Sequence, residues 1–322
     1  MKKNVTKSNK SNLFSVVYVI IFIVFPVLLN AENKDNSGFA ESAPTELNIV
    51  KIYSEEDNSE NYTLSKFSEK DFQVKIANML YSSPEAEVIL KKINPNILPV
   101  FIIYKENLKF VSENYLETLV KTGVLIKKEE YYVIPPTLRA GIYYKREKIP
   151  NRLDVFVMSL CPFGNVAMET IIKAIKQKKA PENLKIYINY ILSPSTYEKI
   201  EGQSQLKSMH GLAEVEEDIR QLVIEKYFPD KWRDYMLFRA NNFQSTYWDD
   251  AAKDAGIDDV FVRKKAREEG ESLLIKNGMI ARDLGVNVSP TFIYENRLIL
   301  DLDGLKKFTG IDLDVKSSCD EQ

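Results

Sequence analysis

The run Leu153-Asp154-Val155-Phe156-Val157-Met158 stops at Ser159-Leu160-Cys161-Pro162-Phe163-Gly164, and the chain then changes period. Before the stop, a short apolar run reads as a buried strand. After it, Met168, Ile171, Ile172 and Ile175 recur at the spacing of one helix face. Lys185 to Leu192 returns to a strand, with Ile186, Ile188, Tyr190 and Leu192 on one side. Strand, helix and strand in succession need a crossover, so the two strands are expected to lie parallel. No other feature limits the fold class as strongly, and it selects α/β.

Cys161 falls where the strand ends and the helix begins, with Pro162 at a favoured early helical position. Unpaired N–H groups and the positive dipole end of a helix favour thiolate over thiol. A single cysteine at such a junction is also read as an inert, buried residue, and position alone leaves both readings open.

The rest of the chain fits around this unit. Leu13 to Leu29 is seventeen residues without a charge, behind Lys2, Lys3, Lys7 and Lys10. A basic start before an apolar run is an export signal, either a cleaved signal peptide or a retained membrane anchor over 1–31. A polar linker is expected over 32–45. From 46 to 149 the reading is strand (Leu47 to Tyr53), helix (Phe72 to Leu80), helix (from Pro84), strand (Leu98 to Tyr104), helix (Asn114 to Gly123) and strand (Tyr131 to Ile134). The second domain, 150–311, continues past the cysteine unit into a mostly helical insertion at about 206–284. It closes with a hairpin turning at Glu295-Asn296 and a helix at Gly304 to Phe308. A tail, 312–322, holds Cys319.

Leu98-Pro99-Val100-Phe101-Ile102 and Ser289-Pro290-Thr291-Phe292-Ile293 match as one device used twice, a proline at the mouth of a strand where its missing N–H costs the sheet nothing. With Val157 to Gly164 and the helical insertion, these residues resemble the thioredoxin superfamily. The nearest branches are the DsbA-like and the gamma-interferon-inducible lysosomal thiol reductase-like proteins. The resemblance covers most of Arg152 to Gly310. It implies two tandem thioredoxin-like α/β domains, the first lacking cysteine. It also implies that Cys161 is the attacking cysteine and that Pro290 is the cis-proline facing it, supported by Pro162 and Ser289. Pro99 is then the equivalent proline of the first domain.

The pattern is broken at Gly164, which stands where the second cysteine of Cys-x-x-Cys belongs. Exchange passes through a mixed disulfide that a second thiol normally resolves, so Cys161 is expected to act as a single nucleophile. Cys319 is a candidate resolving thiol or an incidental one. His210-Gly211-Leu212-Ala213-Glu214 resembles the His-Gly-x-x-Glu core of the lysosomal reductases, with Ser208 and Val215 where flanking cysteines would be. His210 is expected either to tune the thiolate or to pack between helices. The acidic run Glu214-Val215-Glu216-Glu217-Asp218 is read as helix capping by the dipole.

Composition closes off other classes. Two cysteines and one histidine cannot build a four-ligand zinc site of cysteine and histidine, nor a disulfide framework. A net charge of −2, more acidic once the leading lysines are set aside, argues against nucleic acid. No metal and no cofactor are expected. The function expected is that of an extracytoplasmic thiol–disulfide oxidoreductase or isomerase acting on protein or peptide thiols, with its redox partner unassigned. The alternative is a redox-inactive module that binds extended peptide at the Pro290 loop.

Overall fold

The structure, a computed structural model, describes residues 45–56, 68–69, 72–134, 140–197 and 206–313. The expected export segment, all but the last residue of the linker, and the tail from Asp314 with Cys319 lie outside the described residues. Among the described residues no helix is long and apolar enough to cross a membrane. The chain divides into two compact units, 1–146 and 147–322.

In the first unit, β1 (Thr45–Tyr53), β2 (Ser68–Glu69), β3 (Phe72–Leu80), β4 (Val100–Tyr104), β5 (Ile126–Lys127) and β6 (Tyr131–Ile134) form a sheet in the order β2-β3-β1-β4-β6-β5. Helices α1 (Pro84–Ile93) and α2 (Glu113–Lys121) complete it, with a short strand β7 (Gly141–Ile142) beyond. Helix α1 starts where the chain says it should: Ser83 caps the Ala86 N–H at 3.2 Å and Pro84 occupies the first turn. Leu47, Ile49, Phe101 and Ile103 from the sheet meet Leu116 and Leu119 of α2 in one core.

Phe72–Leu80 corrects the helix expected there. It is a strand, parallel to β1, with Val74 opposite Leu47 and Ile76 opposite Ile49. Phe72, Ile76, Met79 and Leu80 also fit a helix face, but Val74 and Ile76 alternate with the exposed Lys75 and Ala77. A period of two, once β1 offers an open edge, wins over local helical spacing.

The second unit holds β8 (Arg152–Val157), α3 (Pro162–Lys176), β9 (Lys185–Tyr190), α4 (Leu212–Tyr227), α5 (Trp232–Asn241), α6 (Trp248–Asp254), α7 (Asp259–Lys265), α8 (Glu271–Leu284), β10 (Thr291–Tyr294), β11 (Leu298–Leu300) and α9 (Leu302–Thr309). Strands β8 and β9 are parallel across α3, as the crossover requires, and the order is β11-β10-β8-β9. Helices α7 and α8 join through a π turn at Ala266–Gly270. There a β-carbon on Gly270 would stand 2.3 Å from Ile219 of α4, so only glycine permits that approach. The hairpin β10–β11 turns through Glu295 and Asn296, both at positive φ (50° and 66°).

A strand-pairing pattern recurs between the units. β1 is parallel to β3 and antiparallel to β4, which pairs with β6; β8 is parallel to β9 and antiparallel to β10, which pairs with β11. Both the Leu98–Pro99 bond before β4 and the Ser289–Pro290 bond before β10 are cis.

The edge strand β9 is covered from α8. Asn277 accepts the Tyr190 N–H at 2.7 Å and donates to the Ile188 carbonyl at 3.0 Å, so one side chain supplies a donor and an acceptor to the strand.

Candidate functional site

The turn Met158 to Cys161 leaves β8 and enters α3, with Cys161 as the N-cap residue in extended conformation (φ −76°, ψ 123°) and Pro162 first in the helix. The Cys161 N–H bonds the Met158 carbonyl at 3.0 Å. Asn165, one turn into α3, donates to the Ser159 carbonyl at 2.8 Å and the Cys161 carbonyl at 2.9 Å. The turn is thus pinned from inside the helix it precedes. Sequence reasoning passed over Asn165, although a buried asparagine in a first helical turn is a signal for side-chain capping of nearby carbonyls.

The Ser289–Pro290 loop faces this turn. The Met158 N–H donates to Ser289 Oγ at 3.0 Å, and the Cys161 thiol lies 3.8 Å from the Ser289 carbonyl. Cys161, the one free cysteine among the described residues, is 9% exposed. Gly164 is buried beside it, where a β-carbon would stand 2.7 Å from Ser289 Oγ and 3.5 Å from the Cys161 β-carbon. Ser289 therefore fills the space that a side chain at 164 would take. Near these residues in sequence four apolar side chains are exposed: Phe163, Val288, Met209 and Leu212.

His210 lies just before α4 and reaches the cysteine turn indirectly. Its Nδ1 is 2.9 Å from Glu214 Oε1, which also accepts the Leu160 N–H at 2.9 Å. The acidic run corrects the capping expected of it. Glu214, Glu217 and Asp218 are at most 1% exposed, and only Glu216 faces solvent. Helix α4 turns its 214, 217, 218, 221 face inward, a helical spacing visible in the sequence once acidic residues are allowed to be core. Glu217 is matched: it accepts from Arg239 Nε and Gln221 Nε2 at 2.9 Å, Arg220 Nε at 3.0 Å and the Tyr235 hydroxyl at 3.2 Å. Both Asp218 carboxyl oxygens are buried without a hydrogen-bond partner among the described residues. Burial pushes that carboxyl well above the usual range, and the charges of Glu214 and Glu217 add to the shift. Among the described residues no group of three or more histidine, cysteine, aspartate or glutamate side chains is placed to hold a metal ion.

No family model matches the chain, and no curated protein matches it. Solved structures do. The thiol-disulfide exchange protein alpha-DsbA2 from Wolbachia pipientis is 19% identical, over 48% of this chain and 78% of its own, with a TM-score of 0.35. A thioredoxin-like oxidoreductase from Silicibacter pomeroyi DSS-3 is 15% identical over 47% and 77%, with a TM-score of 0.34. Oxidised BdbD from Bacillus subtilis is 16% identical over 48% and 83%, with a TM-score of 0.37.

Proposed function

We propose that the chain is a thiol–disulfide oxidoreductase of isomerase type, in which Cys161 is the single nucleophile and protein or peptide disulfides are the substrates. On this reading the two units are diverged thioredoxin-like domains, the second carrying the helical insertion at 206–284. The repeated strand pairing and the paired cis-prolines support that reading. The lysine-led apolar run before Leu29 supports work on the oxidising side of a membrane.

One observation carries the functional reading. The Cys161 thiol sits at a helix N-terminus opposite the cis Ser289–Pro290 loop, while Ser289 Oγ occupies the place a thiol at 164 would need. The Cys161 thiolate attacks one sulfur of a substrate disulfide. A Cys161–substrate S–S bond forms as the substrate bond breaks, and the departing sulfur leaves as a thiolate that takes up a proton. A different substrate thiolate then attacks the substrate sulfur of the mixed disulfide, making a new substrate disulfide and returning Cys161. No electrons are gained or lost overall, so no resolving thiol is needed.

The test is incubation with a peptide disulfide followed by intact-mass analysis. A Cys161 adduct that clears on adding a second peptide thiol, and is absent from Cys161→Ser, is the expected result. A Cys161 that forms no adduct and alkylates no faster than an unstructured thiol would defeat the proposal. The second reading, a redox-inactive peptide-binding module, is favoured by the exposed Phe163 and Val288, close in sequence to Cys161 and Pro290. It predicts peptide binding that Cys161→Ser leaves intact.

A further inference from the structure

The His210-Gly211-Leu212-Ala213-Glu214 segment takes no part in the sulfur exchange, yet it grips the turn that presents Cys161. Glu214 is fully buried, and its two carboxylate oxygens receive four donors. Oε1 takes the Leu160 N–H and His210 Nδ1, each at 2.9 Å; Oε2 takes the Ser208 hydroxyl at 2.5 Å and the His210 N–H at 3.2 Å. The Glu214 backbone carbonyl accepts from Ser159 Oγ at 3.4 Å. Glu214 at the start of α4 is therefore tied to two consecutive residues of the turn before the nucleophile, Ser159 and Leu160. Because an ionised carboxylate only accepts, His210 Nδ1 carries the proton in this pair.

We infer that His210 and Glu214 are a positioning pair for Cys161: Glu214 holds Leu160, and His210 holds the Glu214 carboxylate through its ring and its backbone N–H. This rests on the reading of Cys161 as a nucleophile. Surface pairs of this kind contribute little. Here the carboxylate is at 0% exposure and spends one oxygen on the backbone of the residue preceding the thiol. The other charged and titratable groups facing it are Asp218 and Glu217 on α4, with Glu217 matched by Arg220 on α4 and by Arg239 and Tyr235 on α5. The nearby hydroxyls are those of Ser159 and Ser208.

Two measurements on the full chain test this. The Leu160 amide resonance should move in Glu214→Ala and, through the Glu214 carboxylate, in His210→Gln. In the second, iodoacetamide rates are compared at equal folded fraction. Glu214→Ala should react about tenfold or more slowly, as displaced catalytic groups do. Glu214→Gln, which keeps an acceptor for the Leu160 N–H, should recover most of the loss at pH 7. His210→Gln, which loses the ring contact to Glu214, should react at a rate between those two variants. A Leu160 amide that is unchanged in His210→Gln, or a folded Glu214→Ala that reacts at the natural rate, would overturn the positioning pair. A natural Cys161 inert to alkylation defeats the proposed function instead, and the Leu160 amide still decides the pair.

Discussion

Ser289 Oγ lies 2.7 Å from where a β-carbon on Gly164 would stand, and that same point is 3.5 Å from the β-carbon of Cys161. The second distance is within the range of about 3.5–4.5 Å that disulfides span between β-carbons. The first is closer than non-bonded atoms approach. The glycine and the serine are therefore one feature: a second thiol has the reach it needs and no room to stand.

Gly164→Cys alone should lower stability by about 1–3 kcal/mol, the usual cost of overfilling a packed site. Gly164→Cys with Ser289→Ala should recover much of that and should form a disulfide between Cys161 and the introduced thiol under air. Denaturant melts and thiol counting check both. A single Gly164→Cys variant as stable as the natural chain would show that Ser289 moves aside freely.

Asp218→Asn should flatten the pH dependence of stability. The folded carboxyl titrates well above its unfolded value of about 3.9, so above that value the folded state binds the extra proton. Stability then falls as pH rises from about 4 towards the raised value. The variant, with nothing to ionise, should gain on the natural chain as pH rises above about 4 towards that raised value. Parallel pH profiles of the melting temperature would refute the assignment.

Arg239→Met should cost about 3–5 kcal/mol, because it strands Glu217 as a buried, half-matched charge. Replacing Glu217 with Gln in the same chain should return part of that loss. Urea midpoints of the two variants decide the matter, and additive losses would argue against the pairing.

Asn277→Ala should lose about 1–3 kcal/mol, since it leaves the Tyr190 N–H and the Ile188 carbonyl without their side-chain partner. Faster amide exchange confined to Tyr190 would identify the cause. Unchanged exchange there would rule it out.

The βαβ unit around Cys161, the hairpin at Glu295-Asn296 and the helix at Pro84 are legible in the sequence because each is set by neighbours a few residues apart. β3 is not, since Phe72–Leu80 satisfies both periods and only pairing with β1, more than twenty residues earlier in register, decides between them. The inward acidic face of α4 is hidden for a different reason. Burial of Glu214 and Glu217 depends on donors at Leu160, Arg220 and Arg239, and no local pattern announces that a carboxylate will meet them. Cys161, Gly164 and Ser289 can each be singled out by residue type, but their mutual exclusion of a second thiol exists only in three dimensions.

Asn277 also bears on what happens when many copies share a solution. A bare strand at the margin of a sheet is a template on which another chain can crystallise, one rung at a time. By offering β9 the donor and acceptor that a neighbouring strand would bring, a single amide ends the ladder, so runaway stacking cannot start from these rungs.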